Sequence, residues 1–262
     1  SYSSGEGDMD RRVNGASYYI NDTDGAEGCH LSSRSYPYLL RDKWQIASSE
    51  MRSVACSGAR VNPDYHGSNS YYGQSGQLLD YASSTQNRMK SNALDTFTPG
   101  ILRQIDYVKE YQPSIVTVTG GGNDVGFADI ISYCASSYRL FNLIPINETC
   151  SFVYNKQQRA NLNRTIDNQY ILNKRFIEKI REVSPMTKIY LVGYPQFVKA
   201  DSHACLRNSV MLNNQEIIFI RESVVRMNNT LKRVVQDAGI HYVDIEDSLE
   251  GGQIDKGTKD RK

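Results

Sequence analysis

Ile115-Val116-Thr117-Val118-Thr119-Gly120-Gly121-Gly122-Asn123-Asp124-Val125-Gly126-Phe127 is the stretch on which the fold turns. Residues 115–118 are apolar or β-branched and read as a buried strand. Three glycines end it, and Asn-Asp follows. A strand that stops this way presents polar side chains at its C-terminal edge, where open α/β sheets place their ligand sites. Glycine, lacking a Cβ, lets backbone approach a bound group. Asn123 then offers an amide donor of the kind that holds a developing oxyanion. The plainer reading is a glycine-rich turn in which Asn123 and Asp124 cap the next helix.

Two further segments bear on the choice. The chain opens Ser1-Tyr2-Ser3-Ser4-Gly5-Glu6-Gly7, and Val54-Ala55-Cys56-Ser57-Gly58-Ala59 reads as a short strand ending in a small-residue turn. In this order the three segments resemble blocks I, II and III of the SGNH hydrolases, the GDSL esterase/lipase family. Block I reads Gly-Asp-Ser, and its nucleophilic Ser corresponds to Ser1. Block II supplies a Gly, matched by Gly58. Block III is Gly-x-Asn-Asp, matched by Gly121-Gly122-Asn123-Asp124. The resemblance runs from Ser1 to about Gly252. Cys29 to Leu40 is similar to the loop and first helix of secreted bacterial members, and Val243 to Gly251 to the last strand and the loop after it.

The resemblance implies an α/β fold, a three-layer α/β/α sandwich on a parallel, flavodoxin-like sheet, as one domain over residues 1–262. It implies a serine esterase or lipase without metal or cofactor. The catalytic set is Ser1, Gly58 and Asn123, with the backbone N–H of Ser1 and of Gly58 joining the Asn123 amide around the oxyanion. The substrate is a carboxylic ester of a small molecule, a lipid or an acylated sugar, and the protein is a monomer. Asp124 falls to a structural role.

Two parts of the family pattern have no counterpart in these 262 residues. One is the strand with Gly-Asp before the nucleophile. The other is a late Asp-x-x-His that carries the base. The expectation is a record incomplete at both ends, inactive by itself. The alternative is a shortened, catalytically inactive relative that binds a glycan or lipid through the same cleft. A third reading, an N-terminal-nucleophile hydrolase with Ser1 activated by its own amine, is opposed by the block II and III matches.

Composition narrows the function classes. Thirty basic residues against 29 acidic ones leave a net charge of +1, which suggests no nucleic-acid partner. No apolar run reaches the roughly 18 residues of a transmembrane helix. Among the 18 tyrosines, Tyr18-Tyr19 and Tyr71-Tyr72 lie in polar loops, as cleft lining or as aromatic packing. None of the cysteines at 29, 56, 134, 150 and 205 is spaced as Cys-x-x-Cys, which speaks against zinc. The resemblance implies Cys29–Cys56 and Cys134–Cys150 disulfides, with Cys205 left over, and an extracellular or cell-envelope location. The alternative is buried free thiols in a cytosolic protein.

Periodicity and punctuation place the elements. A helix capped by Ser33 or Ser35 runs to about Ile46, a strand covers Ser53 to Cys56, and a helix covers Gly100 to Glu110. The strand Ile115 to Thr119 feeds a short helix ending near Tyr133. A long amphipathic helix spans Asn155 to Val183, with Ile166, Tyr170, Leu172, Phe176, Ile177 and Ile180 as its stripe. The strand Lys188 to Val192 closes in Gly193-Tyr194-Pro195. A helix from Gln215 stops at Gly239, and His241 to Ile245 is the last strand. Short strands alternating with crossover helices argue a parallel sheet. None of the four histidines stands out as a base. His30 and His203 lie in loops, His66 lies in the loop after block II, close enough to border the cleft and touch substrate, and His241 starts a strand. Sequons at Asn21, Asn147, Asn163 and Asn228 matter only in a eukaryotic secretory pathway.

Overall fold

The computed structural model of the chain describes residues 3–5, 8, 17–20, 29–62, 93–99, 102–130, 153, 155–200, 205–206, 210–211 and 214–250. The chain divides into two compact units, Ser1–Val116 with Arg175–Lys188, and Thr117–Lys174 with Ile189–Lys262.

In the first unit, helix α1 spans Tyr36–Lys43, with Ser35 as N-cap and Pro37 in the first turn. It stops before the expected Ile46 because Gln45 turns left-handed, at φ 54°. The Gln45 N–H then donates to the Asp42 carbonyl (3.2 Å) and the Ile46 N–H to the Arg41 carbonyl (3.0 Å). Those two bonds form a Schellman stop, here with Gln in the place glycine usually takes. Helix α2 spans Gln104–Tyr111 and also stops on a left-handed glutamine, Gln112 at φ 44°, but by the simpler αL motif: the Gln112 N–H donates to the Val108 carbonyl (3.1 Å), and Pro113 has no N–H for a Schellman bond. The Gln112 side-chain amide donates to the carbonyls of Lys109 and Val183, each at 2.7 Å. Helix α2 begins later than the expected Gly100, at an N-cap Arg103 whose guanidinium pairs with Asp106 at 2.6 Å. Residues 51–56 form no strand. The Ala55 N–H turns back to Ser53 Oγ (3.3 Å) rather than to a neighbouring chain, a local bond that competes with a sheet ladder.

Strand β1 (Ile115–Val118) leads to helix α3 (Gly122–Val125), a single turn. Helix α4 runs over Lys156–Val183 with no proline or glycine to interrupt it. Asn155 caps it, its Oδ1 accepting from the N–H groups of Gln157 (3.0 Å) and Gln158 (3.1 Å). Strand β2 (Lys188–Val192) follows, then a small hairpin of β3 (Cys205–Leu206) and β4 (Val210–Met211), which the sequence reading did not foresee. Helix α5 spans Asn214–Ala238. Gly239, at φ 58°, ends it and leads to β5 (His241–Val243).

The sheet has the order β1-β2-β5, and β2 pairs with β5 in parallel, Leu191 opposite Tyr242. This is an α/β architecture in which helices flank a parallel sheet. In the second unit, Ile189, Leu191 and Val192 of β2 and Phe219, Val224, Met227 and Leu231 of α5 are all buried. Strand β1 departs from the expected buried strand. Ile115 is 56% exposed and only Val118 is fully covered, as befits an edge of the described sheet. Among the described residues no helix is long and apolar enough to cross a membrane.

Candidate active site

Block III follows directly from the end of β1. Gly121, at φ 102°, is the N-cap of α3, so Asn123 and Asp124 lie inside the helical turn rather than capping it. That corrects the plainer reading of the stretch. The two glycines before Asn123 are required by crowding. A Cβ on Gly121 would lie 2.6 Å from Met227 Cε and 2.7 Å from Gln169 Oε1. A Cβ on Gly122 would lie 2.7 Å from the Tyr194 hydroxyl. Real Cβ atoms do not approach so closely, so the turn sits against α4 and α5 only because it has no side chains there. Gly126, at φ 75°, then breaks the helix after one turn, and residues 127–130 form a second. The expected end near Tyr133 lies outside the described residues.

Polar groups behind the turn fix its position. The Gly122 N–H donates to the Tyr194 hydroxyl at 2.7 Å. Tyr194 follows the end of β2, the strand beside β1, so both groups lie at the same sheet edge. Burial raises the Tyr194 pKa, the Gly122 N–H opposes that rise, and the nearby Asp124 charge adds to it. The fully buried Asn228 of α5 clamps the Tyr194 backbone. Its Oδ1 accepts from the Tyr194 N–H (2.7 Å), and its Nδ2 donates to the Tyr194 carbonyl (2.9 Å) and to Glu246 Oε2 (2.9 Å). These bonds occupy the Asn228 amide, so its sequon offers no acceptor in the folded protein. On α4, Gln169 and Asn173 are 1% and 0% exposed. Each donates to the carbonyl four residues back, at 3.4 and 3.0 Å, while their own side-chain oxygens find no partner among the described residues. Sequence reasoning missed Gln169, Asn173, Tyr194 and Asn228. The available signal was two amides at stripe spacing, i and i+4, on a helix whose other stripe positions are apolar.

Ser1 lies outside the described residues, and the block I segment is seen in Ser3, Ser4, Gly5 and Asp8. Ser4 is buried, and its carbonyl accepts from the Ser32 N–H at 2.6 Å. Gly5, at φ 85°, passes so close to Ser32 that a Cβ would lie 2.7 Å from that residue's own. Asp8 accepts from Ser32 Oγ and from the Arg34 guanidinium, which covers the Tyr18 ring at 3.9 Å. Tyr19 stacks on His30 at 5.1 Å, so the Tyr18-Tyr19 pair serves as aromatic packing.

Block II is held by covalent chemistry. Cys29 and Cys56 form the expected disulfide, and the Ser57 N–H donates to the Cys29 carbonyl at 2.9 Å. Gly58 follows in a left-handed turn, φ 74°. Gly58 therefore belongs to the first unit and Asn123 to the second. Cys134 and Cys150 lie outside the described residues, as do His66 and His203. His241 is exposed and stacks on Tyr190 at 4.7 Å. Among the described residues no group of three His, Cys, Asp or Glu side chains could hold a metal ion.

A parallel α/β sheet that carries a Gly-Gly-Asn-Asp turn at its C-terminal edge is the framework of a lipase-type acylhydrolase. The family model of GDSL-like lipases and acylhydrolases matches residues 20–260, and the chain belongs to that family, whose members are hydrolases acting on ester bonds. It is similar to Lipase 1 of Streptomyces coelicolor, 23% identical over 260 residues, covering 98% of this chain and 71% of that protein. Its fold matches the crystal structure of an extracellular lipase from Streptomyces rimosus with a TM-score of 0.61 at 21% identity, covering 98% of this chain and 82% of the other. It also matches phospholipase A1 from Streptomyces albidoflavus with a TM-score of 0.62 at 21% identity, covering 97% of this chain and 80% of the other.

Proposed function

We propose that residues 1–262 are the single domain of a monomeric serine esterase or lipase, exported by a bacterium to the cell envelope or beyond. Ser1 is the nucleophile. Its Oγ bonds to the ester carbonyl carbon while its proton passes to a general base, and the carbonyl oxygen becomes an oxyanion. Collapse of that intermediate expels the alcohol, which takes the proton, and water then hydrolyses the acyl-Ser1 ester by the same two steps. The N–H groups of Ser1 and Gly58 and the Asn123 amide hold the oxyanion. The family pattern gives the base to an Asp-x-x-His histidine, and these residues contain no such tetrad. The described histidines, His30 and His241, are each engaged in a ring stack. The substrate is a carboxylic ester of a lipid or an acylated sugar. The names of the similar Streptomyces proteins, lipases and a phospholipase, support the lipid end of that range.

The observation that carries this reading is the block III turn. Its two glycines admit no side chain, and Asn123 stands inside the helical turn at the sheet edge instead of capping it. In the full-length protein, Asn123→Ala is expected to lower kcat for a p-nitrophenyl ester by about 10²–10³, because one oxyanion donor is lost. The melting temperature should change little. A well-folded variant with unchanged kcat would remove Asn123 from the oxyanion site.

A further inference from the structure

We infer that Tyr194 is a positioning residue for the oxyanion site: its hydroxyl, fixed through Asn228, holds the Gly122 backbone and so aims the Asn123 amide. The inference rests on the proposed role of Asn123.

Gly122 is the first residue of α3, and the N–H groups of a helix's first turn have no partner within the helix. Here the Tyr194 hydroxyl accepts from Gly122 at 2.7 Å. A water molecule could satisfy the same donor, but it could not fix the donor in space. The phenol can, because its own position is determined several times over. Asn228 binds both the N–H and the carbonyl of Tyr194, at 2.7 and 2.9 Å. Asn228 is itself fully buried and tied to Glu246 at 2.9 Å. Pro195 restricts the backbone of the residue before it. The ring meets Phe127 edge-on, with centroids 6.0 Å apart.

Gly122 is also the position where any side chain would strike that hydroxyl, so sequence and contact agree on a close approach. On the other side of the turn, Gly121 rests on Met227 and Gln169. The peptide that leads into Asn123 is therefore held from α4, from α5 and from the end of β2. Catalysis by a fixed donor depends on that placement, since a displacement of about 1 Å costs on the order of 10²-fold in rate. Loss of a single neutral hydrogen bond behind the donor should loosen it less, by about tenfold.

The test is a double-mutant cycle in the full-length protein. It compares wild type, Tyr194→Phe, Asn123→Ala and the double variant on one p-nitrophenyl ester. Tyr194→Phe is expected to lower kcat about tenfold with KM within about twofold, and to add nothing in the Asn123→Ala background. A purely structural tyrosine would lower stability and leave kcat of the folded enzyme alone. An unchanged kcat, or a tenfold loss that persists without Asn123, overturns the inference and leaves the Asn123 reading standing. An unchanged kcat in Asn123→Ala overturns both. Hydrogen exchange at the Gly122 amide of the unsubstituted protein decides the structural premise whatever the variant's folding. Protection is expected, and exchange at the rate of a free peptide overturns the inference.

Discussion

A methyl group separates Gly121 from alanine, and the surrounding side chains leave no space for it. Its Cβ would meet Met227 Cε at 2.6 Å and Gln169 Oε1 at 2.7 Å, at a backbone φ of 102°. Gly239 supplies the control. It has φ 58° with nothing within 4 Å of a would-be Cβ. Gly239→Ala should cost about 1 kcal/mol, from left-handed backbone alone. Gly121→Ala adds overpacking to backbone strain and should cost about 2–4 kcal/mol. Urea unfolding at constant m-value measures both. Equal costs would mean that Met227 swings aside freely, and the crowding argument would fail. The run of glycines is legible in the sequence, where it reads as room for a bound group or as a turn before a capped helix. The side chains that require it are not legible there. Tyr194 lies 72 residues from Gly122, and nothing local marks it.

At the scale of elements, legibility followed punctuation and period. Helices α4 and α5 and strand β2 stand where the pattern puts them, because no proline or glycine interrupts their interiors and their ends carry a recognisable cap or stop. Helix α1 stops short of the expected Ile46, on a glutamine at positive φ that no residue-type rule anticipates. Helix α2 ends within a residue of the expected Glu110 but starts at Gln104 rather than at Gly100. The stripe of α4 was half read. Its buried positions are Leu162, Ile166, Gln169, Asn173, Phe176, Ile177 and Ile180, whereas Tyr170 and Leu172 are only partly covered. An amide reads as surface until the turn that rests on it is seen. Ser53 to Cys56 read as a strand from composition and are held instead by a local hydroxyl bond and a disulfide. That disulfide closes a sequence separation of 27 residues, worth about 3–4 kcal/mol by loop entropy. Replacing Cys29 and Cys56 by serine should remove that much stability. It should also loosen the Gly58 turn, so ester hydrolysis should fall more steeply with temperature than in wild type. A double variant as stable as wild type would show that the bridge is not a structural constraint.

Across the whole molecule, the net charge of +1 gives no global field to set pH dependence, so buried tyrosines take that role at the alkaline end. The first unit holds Tyr107, whose hydroxyl donates to the Thr98 carbonyl and whose pKa is raised by burial and by the neighbouring Asp106. The second holds Tyr194 and Tyr242, both raised chiefly by burial, with Asp124 adding to the first and Asp244 and Glu246 to the second. Each of these groups keeps its proton more tightly folded than unfolded. Their stabilisation is complete below the unfolded tyrosine value of about 10 and is lost as pH rises above it, because the unfolded chain releases those protons first. Helix α4 contributes residues to both units, and a single domain over residues 1–262 predicts one alkaline transition. Tyrosinate absorbance and far-ultraviolet circular dichroism, followed together from pH 8 upward, test this. Exposed tyrosines should ionise first with the fold intact. A remaining fraction should ionise only in step with the loss of helix. Ionisation of all 18 tyrosines near pH 10 with the helix signal unchanged would overturn the burial argument. Two separate helix-loss steps would overturn the single domain.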